Sequence, residues 1–195
     1  SVCWLIDRGR ATYGASGRVT GMAGINIDIT AFKDGFHGDS NVTFLVGDVD
    51  PEVRLLVERT HEAMMRGINA ALPGRSINII GRAIETYAKR FNYGVVRDFT
   101  GHGIGETFHT EPQVLHYFDK FDSTMIREGM TFTIEPMITA SGETGHKTWK
   151  DQWTAVTADF SRTAQYEHTM VVTADGVEVL TAGPGAVSPS APWNR

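Results

Sequence analysis

The sequence predicts a mixed fold of the α/β (α+β) class, with antiparallel strands backed by two helices. Three observations predict it. Strand-type alternation begins at Ile25-Asn26-Ile27-Asp28-Ile29-Thr30, two helical patterns follow one another directly after residue 50, and short alternating runs separated by turn residues fill the chain from Val95 onward. At 195 residues the chain is long enough to bury a sizeable core in one compact unit.

The elements follow in order. Residues 1–24 show neither a helical nor a strand period. From Gly24, three isoleucines alternate with Asn26, Asp28 and Thr30, so one strand face is apolar and the other polar. Val42–Val46 reads as its partner, with Asp34-Gly35 turning the chain between them. Asp50 is placed to N-cap the first helix, with Pro51 in its first turn. Val53, Leu56, Val57, Met64 and Ile68 line one helical face, and Pro73-Gly74 ends the run. Ser76 is expected to cap a second helix striped by Ile77, Ile80, Ile84, Tyr87 and Phe91, with Gly94 as its C-terminal glycine. Met130–Glu135 and Trp153–Thr157 read as strands. Glu167–Thr173 and Gly176–Leu180 read as a hairpin. Residues 182–195, rich in Pro, Gly, Ser and Ala, read as a disordered tail.

Composition narrows the function. The apolar fraction of 41% is ordinary for a globular protein, and a net charge of −5 with scattered basic residues gives no footprint for nucleic acid. A single cysteine, Cys3, excludes a disulfide framework and a thiolate zinc cluster. There is no apolar run of membrane-spanning length and no basic stretch followed by an apolar core. The expectation is a soluble cytoplasmic protein with no membrane partner.

Five residues carry the chemistry: Asp28, Asp39, His102, Glu135 and Glu167. Taken singly, each has an ordinary role. Asp28 would be a solvent-facing strand position, Asp39 a turn residue, Glu135 a solvated strand end, Glu167 an ion-pair partner and His102 a loop histidine. Each nonetheless sits among apolar residues, where an isolated charge is expensive. Four carboxylates and an imidazole brought together would repel one another, and a pair of divalent cations is the simplest thing that holds them. Such ligands suit Mn²⁺, Fe²⁺ or Co²⁺, and two ions about 3.5–4 Å apart can activate water and clamp a substrate. His109, in Phe108-His109-Thr110-Glu111-Pro112, could donate a hydrogen bond to a developing oxyanion if it lies near the metals, or be a plain loop histidine. Phe108, Met137 and Trp153 are core residues if taken singly, or together the lining of a pocket for an unbranched apolar side chain. His37, His61, His116, His146 and His168 have no comparable setting.

These contexts carry a resemblance. Asn26-Ile27-Asp28-Ile29-Thr30, His37-Gly38-Asp39-Ser40-Asn41, Gly101-His102-Gly103-Ile104-Gly105, Phe108–Pro112, Val114-Leu115-His116-Tyr117, Thr133-Ile134-Glu135-Pro136-Met137 and Gln165-Tyr166-Glu167-His168-Thr169 together resemble the type I methionine aminopeptidases from about Gly24 to Leu180. Methionine after Glu135-Pro136 favours that branch over prolidase-like relatives. The resemblance implies the pita-bread fold, a curved antiparallel sheet around two divalent ions, and a catalytic domain over residues 25–181. It implies Asp28, Asp39, His102, Glu135 and Glu167 as ligands, with Asp39 and Glu167 bridging. Glu135 would also shuttle the proton as metal-activated water attacks. His109 would steady the scissile carbonyl, and Phe108, Met137 and Trp153 would line the methionine pocket. The implied partner is the N-terminus of a peptide or nascent protein with a small second residue, met by a monomer at or near the ribosome.

The departures lie upstream. The family carries a further N-terminal portion and a Cys-His-Gly segment before the first Asp strand, whereas residues 1–24 contain no histidine. With suitable codons, a one-nucleotide shift turns Arg10-Ala11-Thr12 into a segment containing Cys-His, and Ser16–Gly21 into Leu-Arg-Glu-Gly-Asp. Residues 1–24 are therefore expected to be a frameshift scar or disordered, which the coding DNA decides. Two alternatives to a methionyl aminopeptidase stand beside it: another pita-bread hydrolase directed at proline, and a truncated, catalytically impaired metal-binding member.

Overall fold

A computed structural model describes the backbone of residues 2–7, 11–13 and 19–183, and the side chains from Asn26 to Gly183. Strands β1 (Val2–Asp7), β2 (Ala11–Tyr13), β3 (Val19–Lys33) and β4 (Phe36–Val46) come first. Helices α1 (Pro51–Ala70) and α2 (Asn78–Lys89) follow. Then come β5 (Gly94–Val95), β6 (Gly101–Gly103), β7 (Thr110–Val114), β8 (Thr131–Ile134), β9 (Met137–Thr139), β10 (His146–Thr148), β11 (Ala155–Thr157), β12 (Thr163–Gln165), β13 (His168–Thr173) and β14 (Gly176–Val179). All named strand pairs are antiparallel.

The long β3 is the spine of the first sheet. One edge pairs with β4, and the other pairs with β1 and β2. Asp34 and Gly35 turn the chain at φ of 53° and 93°, a left-handed pair that suits a tight hairpin. A five-stranded sheet in the order β14-β13-β8-β6-β7 and a three-stranded sheet β12-β9-β5 complete the frame. An isolated bridge from Asn41 to Glu167 ties β4 to the segment between β12 and β13.

The predicted helical faces bury, except that Tyr87 is half-buried and Phe91, also half-buried, lies past the end of α2. Val53, Leu56, Val57, Met64 and Ile68 of α1 meet Ile77, Ile80 and Ile84, with Phe132, Ile134, Ile138 and Met170 of the sheets closing the core. Removing that apolar area from water is the main force holding the helices to the strands. Gly67 lets α2 approach α1: a Cβ there would meet Ile84 Cδ1 at 2.8 Å.

Several local expectations are corrected. Asp50 holds the N-cap position of α1, but its side chain makes no cap hydrogen bond and instead pairs with Arg162 at 3.3 Å. Ser76 does not cap α2. Ile77 occupies that position, and the Ser76 hydroxyl donates to the Asp122 carbonyl, because the loop before Ile126 runs alongside. After α2 the left-handed residue is Asn92 at φ 59°, not Gly94. Gly94 lies in β5, where a Cβ would collide with the Glu143 carbonyl. In the 153–157 run only Ala155–Thr157 is strand, with Trp153 in the preceding turn. Upstream, where no period was visible, β1 and β2 pair with β3. The proposed tail falls outside the described residues from 184 onward, as do residues 1, 8–10 and 14–18 of the N-terminal segment.

Candidate metal centre

The inward face of the first hairpin is its polar face. Asp28 lies opposite Asn41, and Thr30 lies opposite Asp39. Asp39, Asn41 and Thr43 are buried along β4 while Phe44 is exposed. The strand tolerates this inversion because its buried polar residues find partners, with Asn41 Oδ1 the exception among the described groups of β4. The Asp39 amide donates to Thr169 Oγ1 at 2.9 Å, and that hydroxyl donates to the Asp39 carbonyl at 2.8 Å. Asn41 exchanges two backbone hydrogen bonds with Glu167. The Thr43 hydroxyl donates to the Gln165 carbonyl at 2.7 Å. These links fix Glu167 against the hairpin.

His102 and Glu135 arrive from the second sheet. Thr133, fully buried on β8, accepts the His102 N–H at 3.1 Å and donates to Glu135 Oε1 at 2.8 Å. One hydroxyl thus sets both residues. His102 Nδ1 lies 3.0 Å from the Gly103 carbonyl, and Nε2 lies 3.6 Å from Glu135 Oε1. A donor Nδ1 leaves Nε2 free as a ligand atom. Gly103 lets β7 pass close by, since a Cβ would collide with the Glu111 carbonyl.

Three of the five predicted ligands, Asp39, His102 and Glu167, bring one ligand atom each within 4.8 Å of one another. Glu135 adjoins this cluster through His102. Asp28 adjoins it through Asp39, whose charge helps hold the Asp28 carboxyl at about 6, second only to burial. Burial raises Asp39 as well, against the Thr30 hydroxyl that donates to it at 2.9 Å. Burial pushes Glu135 up to about 8, opposed by the Thr133 hydrogen bond and reinforced by Asp39 and Asp28. Glu167 is raised well above its usual range by burial and then by the charges of Glu135, Asp39 and Asp28. Burial lowers His102, which keeps the ring neutral.

This arrangement fits divalent ions. Asp28 Oδ1 and Glu167 Oε1 are buried with no hydrogen-bond partner among the described residues. A buried carboxylate oxygen left unpaired is costly, and an ion is the partner that four such acids share most readily. The set contains oxygen and imidazole donors only, which selects hard or borderline metals.

A cleft of about 760 Å³ opens over the cluster. Its lining includes all five ligand candidates together with His109, Phe108, Met137 and Trp153. The His109 ring lies 4.3 Å from that of His102 and 4.0 Å from that of Phe108, centroid to centroid. Trp153 is 72% exposed and forms an open wall rather than core. Sequence reasoning passed over Thr30, Thr133 and Gln165, although period 2 puts them on the same face as Asp28, Glu135 and Glu167 respectively. It also set His116 aside, although Val114-Leu115-His116-Tyr117 stood among the recognised contexts.

The antiparallel frame and its buried acid–imidazole cluster define a metallohydrolase class of site. The metallopeptidase family M24 matches residues 11–174. The chain belongs to that family, and its relatives place it among the family's methionine aminopeptidases. It is 58% identical over 157 residues to methionine aminopeptidase 2 of Mycobacterium tuberculosis, covering 80% of this chain and 55% of that protein. The methionine aminopeptidase of Rickettsia prowazekii is 45% identical over 160 residues, covering 82% and 62%. The crystal structure of a methionine aminopeptidase from that organism superimposes with a TM-score of 0.81 at 41% identity, over 93% of this chain and 73% of that one. A prolidase from Pyrococcus furiosus aligns with a TM-score of 0.64 at 26% identity, over 82% and 41%. The first superposition identifies the frame as the pita-bread fold expected from the motifs. The chain spans little more than half the length of the Mycobacterium tuberculosis relative.

Proposed function

We propose that this chain removes the N-terminal methionine from peptides and nascent proteins whose second residue is small. The observation that carries this reading is one cleft that gathers five ligand-type residues, two orphaned carboxylate oxygens, His109 and an apolar wall. Asp28, Asp39, His102, Glu135 and Glu167 would hold two divalent ions. Bound ions would supply Lewis acidity and acidify water.

The chain's own residues account for the rest. Phe108, Met137 and Trp153 bind the methionine side chain and orient the first peptide bond over the cluster. The Glu135 carboxylate accepts the proton of the attacking water and returns it to the leaving amine. His109 donates a hydrogen bond to the scissile carbonyl oxygen as charge develops there. Manganese, iron or cobalt fits the donor set, and the enzyme would work as a cytoplasmic monomer on chains as they leave the ribosome.

The test measures bound metal and methionine release from Met-Ala-Ser with Mn²⁺, Fe²⁺ or Co²⁺. Two bound ions with release of methionine are expected. Cleavage of Xaa-Pro peptides alone would sink the reading in favour of a prolidase-like enzyme, and two ions without turnover would leave a metal-binding, impaired member.

A further inference from the structure

Glu135 occupies a break in the sheet. β8 ends at Ile134, paired with His168, and β9 begins at Met137, paired with Gln165. Between them Glu135 and Pro136 have no ladder partner, and Pro136 has no N–H to offer. A buried backbone N–H without an acceptor is strongly disfavoured, so the Glu135 N–H must find one elsewhere. The acceptor is a side chain. His116, 1% exposed and two residues past the end of β7, receives that N–H on Nε2 at 3.0 Å. On the other side of the break, Gln165 Nε2 donates to the Glu135 carbonyl at 3.3 Å and reaches Oε2 of the same residue at 3.5 Å. Two side chains therefore replace the missing rungs, one on each side of the Glu135 peptide.

We propose that His116 is a positioning residue for Glu135, fixing through Nε2 the break between β8 and β9 that aims the Glu135 carboxylate at the metal cluster. The proposal rests on the reading of Glu135 as a ligand given above. Nε2 can accept only if the proton sits on Nδ1, so the geometry also fixes the tautomer. Among the described residues Nδ1 has no partner at full hydrogen-bond geometry, although the Phe99 backbone lies near enough to favour the protonated ring against the lowering by burial. The ring is thus held by its burial, by the nearby Phe99 backbone and by the bond to Glu135. Partners of this kind commonly change metal affinity 10–100-fold when removed.

Bond count supplies the discriminating variants. In glutamine the side-chain oxygen is as many bonds from Cα as histidine Nε2, whereas in asparagine the oxygen corresponds to Nδ1. Full-length wild type, H116Q, H116N and H116L are titrated with Mn²⁺ alone, and free ion is counted by electron paramagnetic resonance. Affinity should fall about 10–100-fold in H116N and H116L and stay within about threefold in H116Q, at equal or unequal thermal stability. Loss of stability without loss of affinity in H116N and H116L would overturn the proposal. Long-range nitrogen NMR on the metal-free wild type at pH 7 provides a second arm that needs no variant to fold. It should show His116 Nε2 unprotonated and coupled to the Glu135 amide, and the opposite tautomer would overturn the proposal. Wild type that binds no Mn²⁺ while keeping that hydrogen bond would instead overturn the metal reading and, with it, the role assigned to His116.

Discussion

Replacing Glu135 by glutamine should stabilise the metal-free protein above neutral pH, although buried hydrogen-bonded side chains ordinarily weaken a protein when changed. In the folded chain the Glu135 carboxyl titrates at about 8, against 4.5 for the ordinary group. A carboxyl raised in this way stabilises the fold below 4.5, and that contribution is lost as pH rises through about 8. Buried histidines act oppositely. His116 is held at about 3, His168 at about 4, and His61 is lowered, all by burial from 6.5. Their contribution grows as pH rises and is complete once the unfolded chain loses its protons near 6.5. Between pH 6.5 and 8 the carboxyl effect therefore stands alone among these groups. At about 1.36 kcal/mol per pH unit, Glu135 by itself removes ~2 kcal/mol across that window, and Glu167 acts with the same sign. Urea denaturation of chelator-treated protein at pH 6.5, 7 and 8 reads this directly. Wild type should lose stability along the series, while E135Q should lose less and overtake wild type by pH 8. Saturating Mn²⁺ should reverse the wild-type slope, because ligands must be deprotonated to bind. A metal-free wild type whose stability is flat or rising over that window would refute the reasoning.

Three further outcomes are expected. T133V removes the hydroxyl that both accepts from His102 and donates to Glu135; it should cost ~1–3 kcal/mol in chemical denaturation and weaken Mn²⁺ binding. H109A should lower kcat about 10²–10³-fold while bound-metal stoichiometry stays at the wild-type value, since His109 lies on the wall of the cleft and outside the ligand cluster. G81A places a Cβ against the carbonyls of Tyr117 and Leu115; the forced separation of α2 from that loop should lower thermal stability by ~1–3 kcal/mol, with a wild-type melting temperature counting against it.

Helix positions were legible because burial follows the 3.6-residue period. Val53, Leu56, Val57, Met64 and Ile68 are all buried on α1, and Ile77, Ile80 and Ile84 are buried at or within α2. Helix ends were less legible. Ser76 and Gly94 have good cap chemistry, yet the carbonyls of Asp122 and Glu143 claimed them through contacts about fifty residues away in sequence. The hairpin of β3 and β4 was read from its isoleucines and its Asp-Gly turn, and its inward face did carry Asp28. No local rule says that Asp39, Asn41 and Thr43 would be the buried side of β4. That depends on Thr169, Gln165 and Glu167 arriving opposite them.

Read alone, the sequence singled out the candidate ligands. Asp28, Asp39, His102, Glu135 and Glu167 stood out because charge among apolar neighbours is costly without a partner, and their contexts named the family. Tertiary structure decided how they meet. It drew Asp39, His102 and Glu167 into one cluster, left Asp28 and Glu135 on its flanks, and assigned Thr133, Gln165 and His116 to hold them. The physical reason is that a ligand's identity is a property of its side chain. Its aim depends on hydrogen bonds from distant strands, whose pairing no local periodicity encodes.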